Sequence, residues 1–423
     1  MQKSFFAVTA KGLEPALAEE LRALGALNIE ERPGGVAFAG NQETLYKACL
    51  WLRTATRVLQ EIRTFSARSP EMLYDQIRRL KWHELLTAEM TFAVDCVASG
   101  TRVKRESLDE DFENAPPRPL ASPSIAPTSP SFAHRRLQPH AVDNRLQPRF
   151  VALKIKDGIA DEMRKRLNGV RPSVDAENPD VLIHAYLNDG KCVLSIDASG
   201  ASMHERGYRK QDSGAPLRET LAAGLVLMTE WPKDTSQPFI DLMCGGGTLC
   251  IEAALIGANI APGLLRTKRF GFETWRDFDK ALWNRLRSEA VAARSTTKLN
   301  IQGFDMNELA IEAARSNARR ASVDKLVRFE LGRIENLPSN RVPTTAGTVI
   351  VNPPYGERMG AADRLKPLYK RLGDAYKHQF KGWKGFIFSG NSDATKSVGL
   401  RTSRRIPLFN GPIECRLLRY ELY

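Results

Sequence analysis

The sequence predicts an α/β protein whose C-terminal half forms a parallel, doubly wound sheet, preceded by a smaller α+β unit. From residue 215 onward, short apolar runs alternate with long helical segments, as in sheets covered by helices on both faces. Near the N-terminus, short strands and helices alternate with tight turns. The glycine-rich turn CGGGT follows the first apolar run of the C-terminal half. It predicts a ligand site at the carboxyl edge of the parallel sheet.

Residues 1–65 predict the first unit. A helix is expected over 13–24 because Leu13, Leu17, Leu21 and Leu24 lie on one face. The other elements follow from apolar alternation and flanking turns. They are strands at 4–10, 28–31, 36–39 and 57–63, and a second helix at 42–50.

Residues 66–199 predict a second unit interrupted by an insert. A helix at 70–81 and a strand at 91–100 precede the insert at 107–149. Residues 115–150 hold eight prolines, five arginines and one acidic residue. Such a composition cannot bury enough apolar surface to offset its ordering entropy, so a flexible loop is expected. Afterwards, 151–167 predicts a strand end followed by an amphipathic helix, and 180–189 and 191–199 predict a hairpin.

Residues 200–423 predict the parallel sheet. Its expected strands are 239–243, 301–305, 327–331, 348–352 and 385–390. The segment 261–294, between the first two strands, predicts mostly helix with aromatic anchors.

Composition restricts the function. The chain of 423 residues has a net charge of +13, which favours a polyanionic partner because basic surfaces displace counterions from phosphates. The six cysteines contain no CxxC pair, so neither a zinc cage nor a disulfide framework is expected, and a metal is not predicted. The N-terminus lacks a signal-peptide core, and no stretch approaches the ~20 apolar residues of a membrane span. We therefore expect a cytoplasmic protein.

The CGGGT turn and the acid before it predict a cofactor site. Gly245 and Gly247 let the backbone approach a ligand, and the next helix offers its positive N-terminus. Asp241, just before the turn, is placed to hold a ligand's amino group. GxGxxG and GKS/T patterns are missing from this turn, which argues against a nicotinamide cofactor and a P-loop. Plain tight packing is the alternative, and Cys244 is expected to fill space rather than act as a nucleophile.

The next predicted strand also ends in an acid, Asp305. Acids at this position of a doubly wound sheet bind ribose hydroxyls. The alternative is that Asp305 caps the following helix.

The run VIVNPPYGER predicts a rigid catalytic corner. Prolines cannot join a sheet ladder, so the strand must stop at Asn352. The side-chain carbonyl of Asn352 and the backbone carbonyl of Pro353 can accept hydrogen bonds from an exocyclic amine, aiming its lone pair at a methyl donor. Pro354 helps to fix the corner, and Tyr355 offers a face for a base taken out of its stack. The structural alternative is a proline-terminated strand with a buried tyrosine.

The motifs DLMCGGGT, GFDMN and VIVNPPYGER resemble the signatures of class I S-adenosylmethionine-dependent amino-methyltransferases. Further segments, including FAVTAKGLEPALAEEL, MHERGYR, APLRETLAAGLV and NGPIECRLLRYEL, resemble the bacterial 23S ribosomal RNA guanine-N2 methyltransferases. The resemblance covers the chain except 107–149. It implies a ferredoxin-like domain (1–65), a THUMP RNA-binding domain (66–199) and a Rossmann-like class I methyltransferase domain (200–423). Longer members carry a second methyltransferase domain after this point, and none is expected here.

The resemblance also implies roles for individual residues. The methionine side of the cofactor S-adenosylmethionine is assigned to Asp241, Cys244, Gly245 and Gly247, its ribose to Asp305, and its flank to Arg218 and Glu219. The catalytic loop is Asn352, Pro353, Pro354 and Tyr355. Where the family usually has an aspartate against the adenine amine, this chain has Arg333, with Glu335 or a backbone carbonyl as substitutes.

The positive charge then has an expected partner, 23S rRNA or its precursor particle. RNA contacts to phosphate or shape are predicted for Lys154, Lys156, Arg164, Lys165 and Arg171, with solvated surface cations as the alternative. For HERGYR, a domain-junction role and RNA contact by Arg206 and Arg209 are both expected. Two other functions stay open. One is methylation of tRNA guanine or of adenine N6, and the other is a non-catalytic assembly protein with a degenerate cofactor site.

Overall fold

The computed structural model describes residues 2–99, 147–209, 217–337, 341–354 and 361–423. Within these ranges, two sheets organise the chain, one with eight strands and one with seven. No helix among them is both long and apolar enough to cross a membrane. Most of the predicted insert, 107–146, lies outside the described residues.

The N-terminal unit is a βαββαβ arrangement. Its elements are β1 (Lys3–Thr9), α1 (Glu14–Ala23), β2 (Leu27–Arg32), β3 (Gly35–Gly40), α2 (Gln42–Trp51) and β4 (Ala55–Ser66). The predicted helical face of α1 is buried through Leu17, Ala18 and Leu21. Asn41 caps α2 by accepting a hydrogen bond from the Thr44 amide.

The second unit continues the same sheet. Its elements are α3 (Pro70–Arg78), α4 (Trp82–Leu85), β5 (Thr91–Ser99), α5 (Pro148–Arg166), β6 (Ser173–Val174), β7 (Val181–Asn188) and β8 (Lys191–Asp197). The strand order is β2-β3-β1-β4-β8-β7-β5-β6. β4 joins the two units, since it pairs with β1 from Ala55 to Gln60 and with β8 from Leu59 to Ser66. The boundary expected at 65/66 therefore falls within a shared strand.

One helix replaces the strand end predicted at residue 151. α5 is continuous from Pro148, so 148–149 of the predicted insert also belong to it. Val151, Ile155, Ile159 and Met163 recur every four residues and are fully buried. This spacing makes one apolar stripe on a helix, and proline is well tolerated in a first helical turn.

The C-terminal unit is the doubly wound sheet. Its elements are α6 (Glu219–Met228), β9 (Phe239–Asp241), α7 (Thr248–Gly257), α8 (Lys280–Ala292), β10 (Ile301–Asp305), α9 (Glu308–Arg320), β11 (Val327–Leu331), β12 (Thr348–Val351), α10 (Ala361–Gln379), β13 (Lys384–Ser389), α11 (Ser392–Lys396), β14 (Arg404–Asn410) and β15 (Ile413–Glu421). The strand order is β11-β10-β9-β12-β13-β15-β14. The first five strands are mutually parallel, β15 runs antiparallel to β13, and β14 runs antiparallel to β15 and so in the direction of the first five.

The strand order reverses between β9 and β12, and this reversal positions the candidate site. Chain order runs outward from β9 through β10 to β11 on one side, and through β12 to β13 on the other. The crevice at the carboxyl ends of such a switch point is where open α/β sheets bind ligands. One apolar core lies under α6, α7 and α9, and another lies under α10 and α11, so both sheet faces are covered.

The segment 261–294 differs from the sequence expectation. It holds two 3₁₀ turns, Pro262–Leu265 and Gly271–Thr274, and one α-helix, α8. Its aromatic rings pack on the N-terminal unit. Phe272 stacks on Tyr46 of α2 with ring centroids 4.3 Å apart, and Trp283 meets Tyr46 edge-on at 5.8 Å. The extra length between β9 and β10 therefore serves contact between units rather than the sheet.

Candidate active site at the carboxyl edge of the parallel sheet

The glycine-rich turn packs against the protein at Gly247 and borders open space at Gly245. Gly247 has φ +82°, and a Cβ there would lie 2.7 Å from the Phe329 ring. Gly245 has φ +50°, but a Cβ there would meet no atom within 4 Å. Both glycines adopt backbone conformations that side chains disfavour, and only Gly245 borders open space. The turn therefore presents backbone to a volume that a ligand can occupy.

Asp305 is bonded directly to this turn. Its Oδ2 accepts a hydrogen bond of 2.9 Å from the Gly245 amide, and its Oδ1 accepts one from the Asn307 amide at 2.9 Å. Parallel pairing of β9 with β10 brings the two predicted acids to one edge. The helix-cap alternative for Asp305 is wrong, because Asn307 caps α9 by accepting from the Leu309 amide. Each carboxylate oxygen keeps a lone pair for a ligand hydroxyl.

Asp241 is a buried carboxyl group at the end of β9. It is 1% exposed, and its Oδ1 accepts a hydrogen bond of 3.1 Å from the Met243 amide. Burial raises the pKa of Asp241 to about 7, the Met243 amide opposes that rise, and the negative charge of Asp305 adds to it. A cationic ligand group beside Asp241 would favour the ionised form.

Asn317 supports the turn and was not singled out from the sequence. Its Nδ2 donates a 2.9 Å hydrogen bond to the Gly246 carbonyl. Asn317 lies on the buried face of α9 and is 5% exposed. An asparagine on the apolar face of an amphipathic helix is the sequence signal for such a role, because buried polar side chains need a partner. Burial raises the pKa of the neighbouring Cys244 thiol well above its usual range, which disfavours a thiolate nucleophile.

The residues expected to flank the cofactor divide into exposed and buried ones. Arg218 is exposed at the start of α6, whereas Glu219 is buried with its Oε1 3.6 Å from the Arg209 Nε. Burial raises the pKa of Glu219. Arg333 is exposed after β11, and Glu335 forms a 2.6 Å ion pair with Arg371.

The proline corner lies on the other side of the strand-order reversal. β12 ends at Val351, and its Ile350 is opposite Asp241 of β9. Asn352 follows directly, and its Oδ1 is buried without a hydrogen-bond partner among the described residues. Pro353 is buried and Pro354 is exposed, while Tyr355 lies outside the described residues. A buried amide oxygen that lacks a donor costs free energy unless a ligand supplies one.

The HERGYR segment is a buried junction, which corrects the predicted RNA contact of Arg206. Arg206 is 1% exposed and donates to the carbonyl oxygens of Met203 (2.7 Å) and Arg53 (2.5 Å), so it links the N-terminal unit to this segment. Its Nε lies 3.7 Å from Glu252 of α7, which also accepts a hydrogen bond from the Tyr208 hydroxyl at 3.0 Å. With no surface left for phosphate, Arg206 cannot bind RNA in this conformation.

Arg209 also points inward. Its Nη2 donates to the Leu217 carbonyl and to the Thr248 hydroxyl, each at 2.8 Å. Thr248 is the first residue of α7, directly after the glycine-rich turn. Arg209 is half-buried, and these contacts hold the start of the helix behind the turn, while its RNA contact stays a prediction.

The basic residues expected to contact RNA in the second unit lie on α5 or just after it. Lys154 lies over the Phe150 ring at 5.6 Å, Lys156 pairs with Asp157 at 3.0 Å, and Arg164 pairs with Asp161 at 3.2 Å. Lys165, at the end of α5, and Arg171, beyond it, are exposed. Across the described ranges, no group of three or more His, Cys, Asp or Glu side chains is arranged to hold a metal ion.

Three family models match successive parts of the chain. An RlmL ferredoxin-like domain matches residues 4–59, a THUMP domain matches 136–197, and an RMKL-like methyltransferase domain matches 206–419. The chain belongs to the RMKL-like methyltransferase family. Its fold is thus the expected one, a Rossmann-like methyltransferase domain preceded by ferredoxin-like and THUMP domains.

Relatives that match almost the whole of this chain support this family assignment. The Ribosomal RNA large subunit methyltransferase K/L of Syntrophotalea carbinolica is 38% identical over 99% of this chain and 53% of its own length. The chain thus spans about half of that relative. A protein of Synechocystis sp. named "Putative RNA methyltransferase slr0064" is 36% identical over 100% of this chain and 97% of its own length. The crystal structure of SMU.472 complexed with SAH (S-adenosylhomocysteine) superposes with a TM-score of 0.80 and 28% identity, over 100% of this chain and 98% of that one.

Proposed function

We propose that this chain is an S-adenosylmethionine-dependent methyltransferase that modifies the exocyclic N2 of a guanine in 23S rRNA. The observation that carries the proposal is the buried Oδ1 of Asn352, which has no hydrogen-bond partner in the described part of the chain. It lies at a proline-fixed corner, one strand away from the glycine-rich turn. This acceptor matches the chemistry of an aromatic amine, which brings hydrogen-bond donors and a poorly nucleophilic lone pair.

The residues at the turn fit S-adenosylmethionine. The open side of Gly245 admits a ligand against the backbone, and Asp305 offers carboxylate lone pairs to ribose hydroxyls. The Asp241 carboxyl group suits the ligand's amino group, whose positive charge offsets the cost of ionising a buried acid. When bound, S-adenosylmethionine supplies an electrophilic methyl group. SMU.472, which has the same fold, binds the demethylated product form of this cofactor.

The corner orients the amine and gives it nucleophilic character. Hydrogen bonds to the Asn352 side-chain carbonyl and the Pro353 backbone carbonyl hold both amine protons and favour a tetrahedral nitrogen. The lone pair then points away from these acceptors, toward the side on which the glycine-rich turn lies. Because the prolines restrict the backbone, this alignment exists before the substrate arrives and needs little reorganisation. The surplus amine proton leaves to solvent after transfer.

The RNA partner is supported by charge and by the relatives. The net charge of +13, the THUMP match and the basic residues Lys154, Lys156, Arg164, Lys165 and Arg171 favour phosphate contact. The K/L relatives are named for ribosomal RNA, and slr0064 is named for RNA. Because ribosomal RNA is the proposed substrate, we also propose a cytoplasmic activity.

The test is methyl transfer from labelled S-adenosylmethionine to unmodified 23S rRNA and tRNA, followed by nucleoside analysis. We expect label in N2-methylguanosine of 23S rRNA. Label in tRNA, or in N6-methyladenosine, would show that the proposed substrate is wrong, while methyl transfer to an amine held by Asn352 and Pro353 would still be supported. If label is missing from naked RNA and also from ribosomal precursor particles, the non-catalytic assembly role is favoured.

A further inference from the structure

A cavity of about 450 Å³ opens beyond the carboxyl end of β13. It lies between α11 with its following loop and one face of β15, from Glu414 to Tyr420, and Arg405 of β14 borders one side. The polar lining includes Ser389, Thr395, Thr402, Arg405, Glu414 and Arg416. None of these residues has a role in the cofactor turn or the proline corner.

Strand register places this cavity beside the proline corner. β12 and β13 pair in parallel, with Val351 opposite Ile387. Continuing that register past the ladder sets Pro353 opposite Ser389, which lines the cavity. Neighbouring strands lie about 4.8 Å apart, so the cavity begins one strand spacing from the corner. β9 and β10, which carry the cofactor turn, lie on the opposite side of β12.

The charge of the lining suits an anion. Among the described residues that line the cavity, Lys396, Arg405 and Arg416 contribute three cations, and Glu414 contributes the single carboxylate. Lys396 is balanced by Asp393 at 2.8 Å, and Arg416 lies 3.4 Å from Glu414. Arg405 donates to the Thr402 hydroxyl at 2.9 Å and has no carboxylate partner among the described residues.

The two cations on the β14–β15 hairpin point to the same face. Arg416 is opposite Pro407 in the ladder, and Pro407 is two residues from Arg405 on β14. Alternate residues of a strand share a face, so Arg405 and Arg416 both face the cavity. Hydroxyl groups of Ser389, Thr395 and Thr402 complete the lining. The Ser389 hydroxyl also bonds the Tyr369 hydroxyl at 2.6 Å, and Thr395 donates to the Ser392 carbonyl at 2.8 Å. Two guanidinium groups with hydroxyls around them match a phosphodiester and its ribose.

We propose that this cavity holds the sugar-phosphate unit of a nucleotide adjacent to the methylated guanine, with Arg405 and Arg416 on the phosphate. The inference rests on the proposed RNA substrate. A base extruded into the corner needs its flanking backbone held, since extrusion bends the strand and otherwise leaves the target free to restack. The cavity provides that hold on the side of the corner away from the cofactor.

The strand itself supplies a matched control. Arg404 and Arg405 are consecutive on β14 and both exposed, but they point to opposite faces. Arg404 is opposite Arg419, on the face away from the cavity. Arg404→Ala and Arg405→Ala therefore remove the same charge from the same strand and differ in the face from which it is lost.

The experiment is filter binding of unmodified 23S rRNA by the full-length wild type and both variants across a salt series, with S-adenosylhomocysteine binding as a check of the fold. We expect Arg405→Ala to raise the Kd for RNA about tenfold at low salt and to reduce the slope of log K against log salt by about 0.7, the value for one single-strand phosphate contact. Arg404→Ala should change the Kd by less than about twofold. Phosphorothioate footprinting should show that Arg405→Ala loses protection at a phosphate next to the modified guanine.

Equal losses of RNA affinity in the two variants would mean that the overall positive charge, rather than the cavity, accounts for the effect, and would overturn the proposal. Unchanged RNA binding by Arg405→Ala would also overturn it. A lost footprint far from the modified guanine would also overturn it. If the wild type methylates no RNA, the proposed activity fails. The paired binding constants and footprints still report whether Arg405 holds a phosphate, so the two failures are distinguishable.

Discussion

Asp241→Asn replaces the buried carboxyl group at the end of β9, beside the glycine-rich turn, with an amide of the same size. The amide oxygen of asparagine can still accept the hydrogen bond that the Met243 amide donates to Oδ1. The substitution therefore isolates the effect of charge. Its consequences depend on pH, because burial raises the pKa of Asp241 from 3.8 to about 7.

The size of the effect follows from that shift. Each pKa unit corresponds to about 1.36 kcal/mol, so the buried charge lowers the free energy of unfolding by roughly 4 kcal/mol once it is fully ionised. Since the folded pKa lies above the unfolded one, the stability contributed by the protonated acid is complete below the unfolded value of 3.8. It is lost as the pH rises toward about 7 and stays constant above. Relative to Asp241→Asn, the ligand-free wild type should lose about 4 kcal/mol between pH ~4 and pH ~7.

Urea unfolding of the ligand-free proteins, followed by tryptophan fluorescence from pH ~4 to pH ~9, measures this difference. The neighbouring thiols of Cys244 and Cys250 and the phenol of Tyr376 have pKa values raised well above their usual range, so they stay neutral throughout. Asp324→Asn, the same replacement at an exposed position, is the control. Calorimetry with S-adenosylhomocysteine provides a second readout. Wild-type binding should tighten as pH rises to about 7 and then level off, whereas binding to Asp241→Asn should not follow this titration.

Parallel stability curves for wild type and Asp241→Asn across this range would refute the raised pKa. A stability difference of the expected sign, combined with pH-independent binding by the wild type, would instead remove Asp241 from the amino group of the ligand.

Three further substitutions test the site and its support. Asn352→Ala should lower kcat on 23S rRNA by about 10²–10³ with RNA and cofactor Kd within about twofold, and lost RNA binding with intact turnover at saturating RNA would contradict its role. Gly247→Ala should reduce the free energy of unfolding by about 3 kcal/mol in urea titrations, because φ is +82° and the new Cβ would lie 2.7 Å from Phe329. A loss below about 0.5 kcal/mol would show that the turn relaxes. Arg206→Met should cost about 3–5 kcal/mol by the same assay, since Glu252 would lose the nearby buried guanidinium, and wild-type stability would refute that coupling.

The parallel strands were predictable because each is a short buried apolar run. β10 and β11 match their predicted limits, and β9 ends two residues early because Leu242 and Met243 already belong to the turn. The α5 region shows the limit of this reasoning. Its first turn, rich in apolar residues, fits a strand end as well as a helix, and a short apolar run does not distinguish them. The C-terminal hairpin of β14 and β15 was not predicted as strands either.

The site was predictable where chemistry depends on residues close in sequence. The turn, the acid after β10 and the proline corner each follow a strand, and parallel pairing brings them to one edge. Arg206 was misjudged because its partners are distant in sequence: the Arg53 carbonyl is 153 residues away in the N-terminal unit, and Glu252 lies on α7, beyond the glycine-rich turn. A charged segment ordinarily indicates a solvent-exposed surface, and only the folded structure reveals that this arginine is buried beside a glutamate.

The pairing of β4 has a consequence for dividing the chain. Its twelve residues complete the sheet of one family-model domain and begin the ladder of the next. A fragment ending near residue 66 would present an open row of amide and carbonyl groups, which recruits strands from other molecules. The ferredoxin-like and THUMP modules are therefore separate in sequence, but a fragment that contains only one of them should aggregate. Exchange between relatives should move both together, with the junction placed after β8.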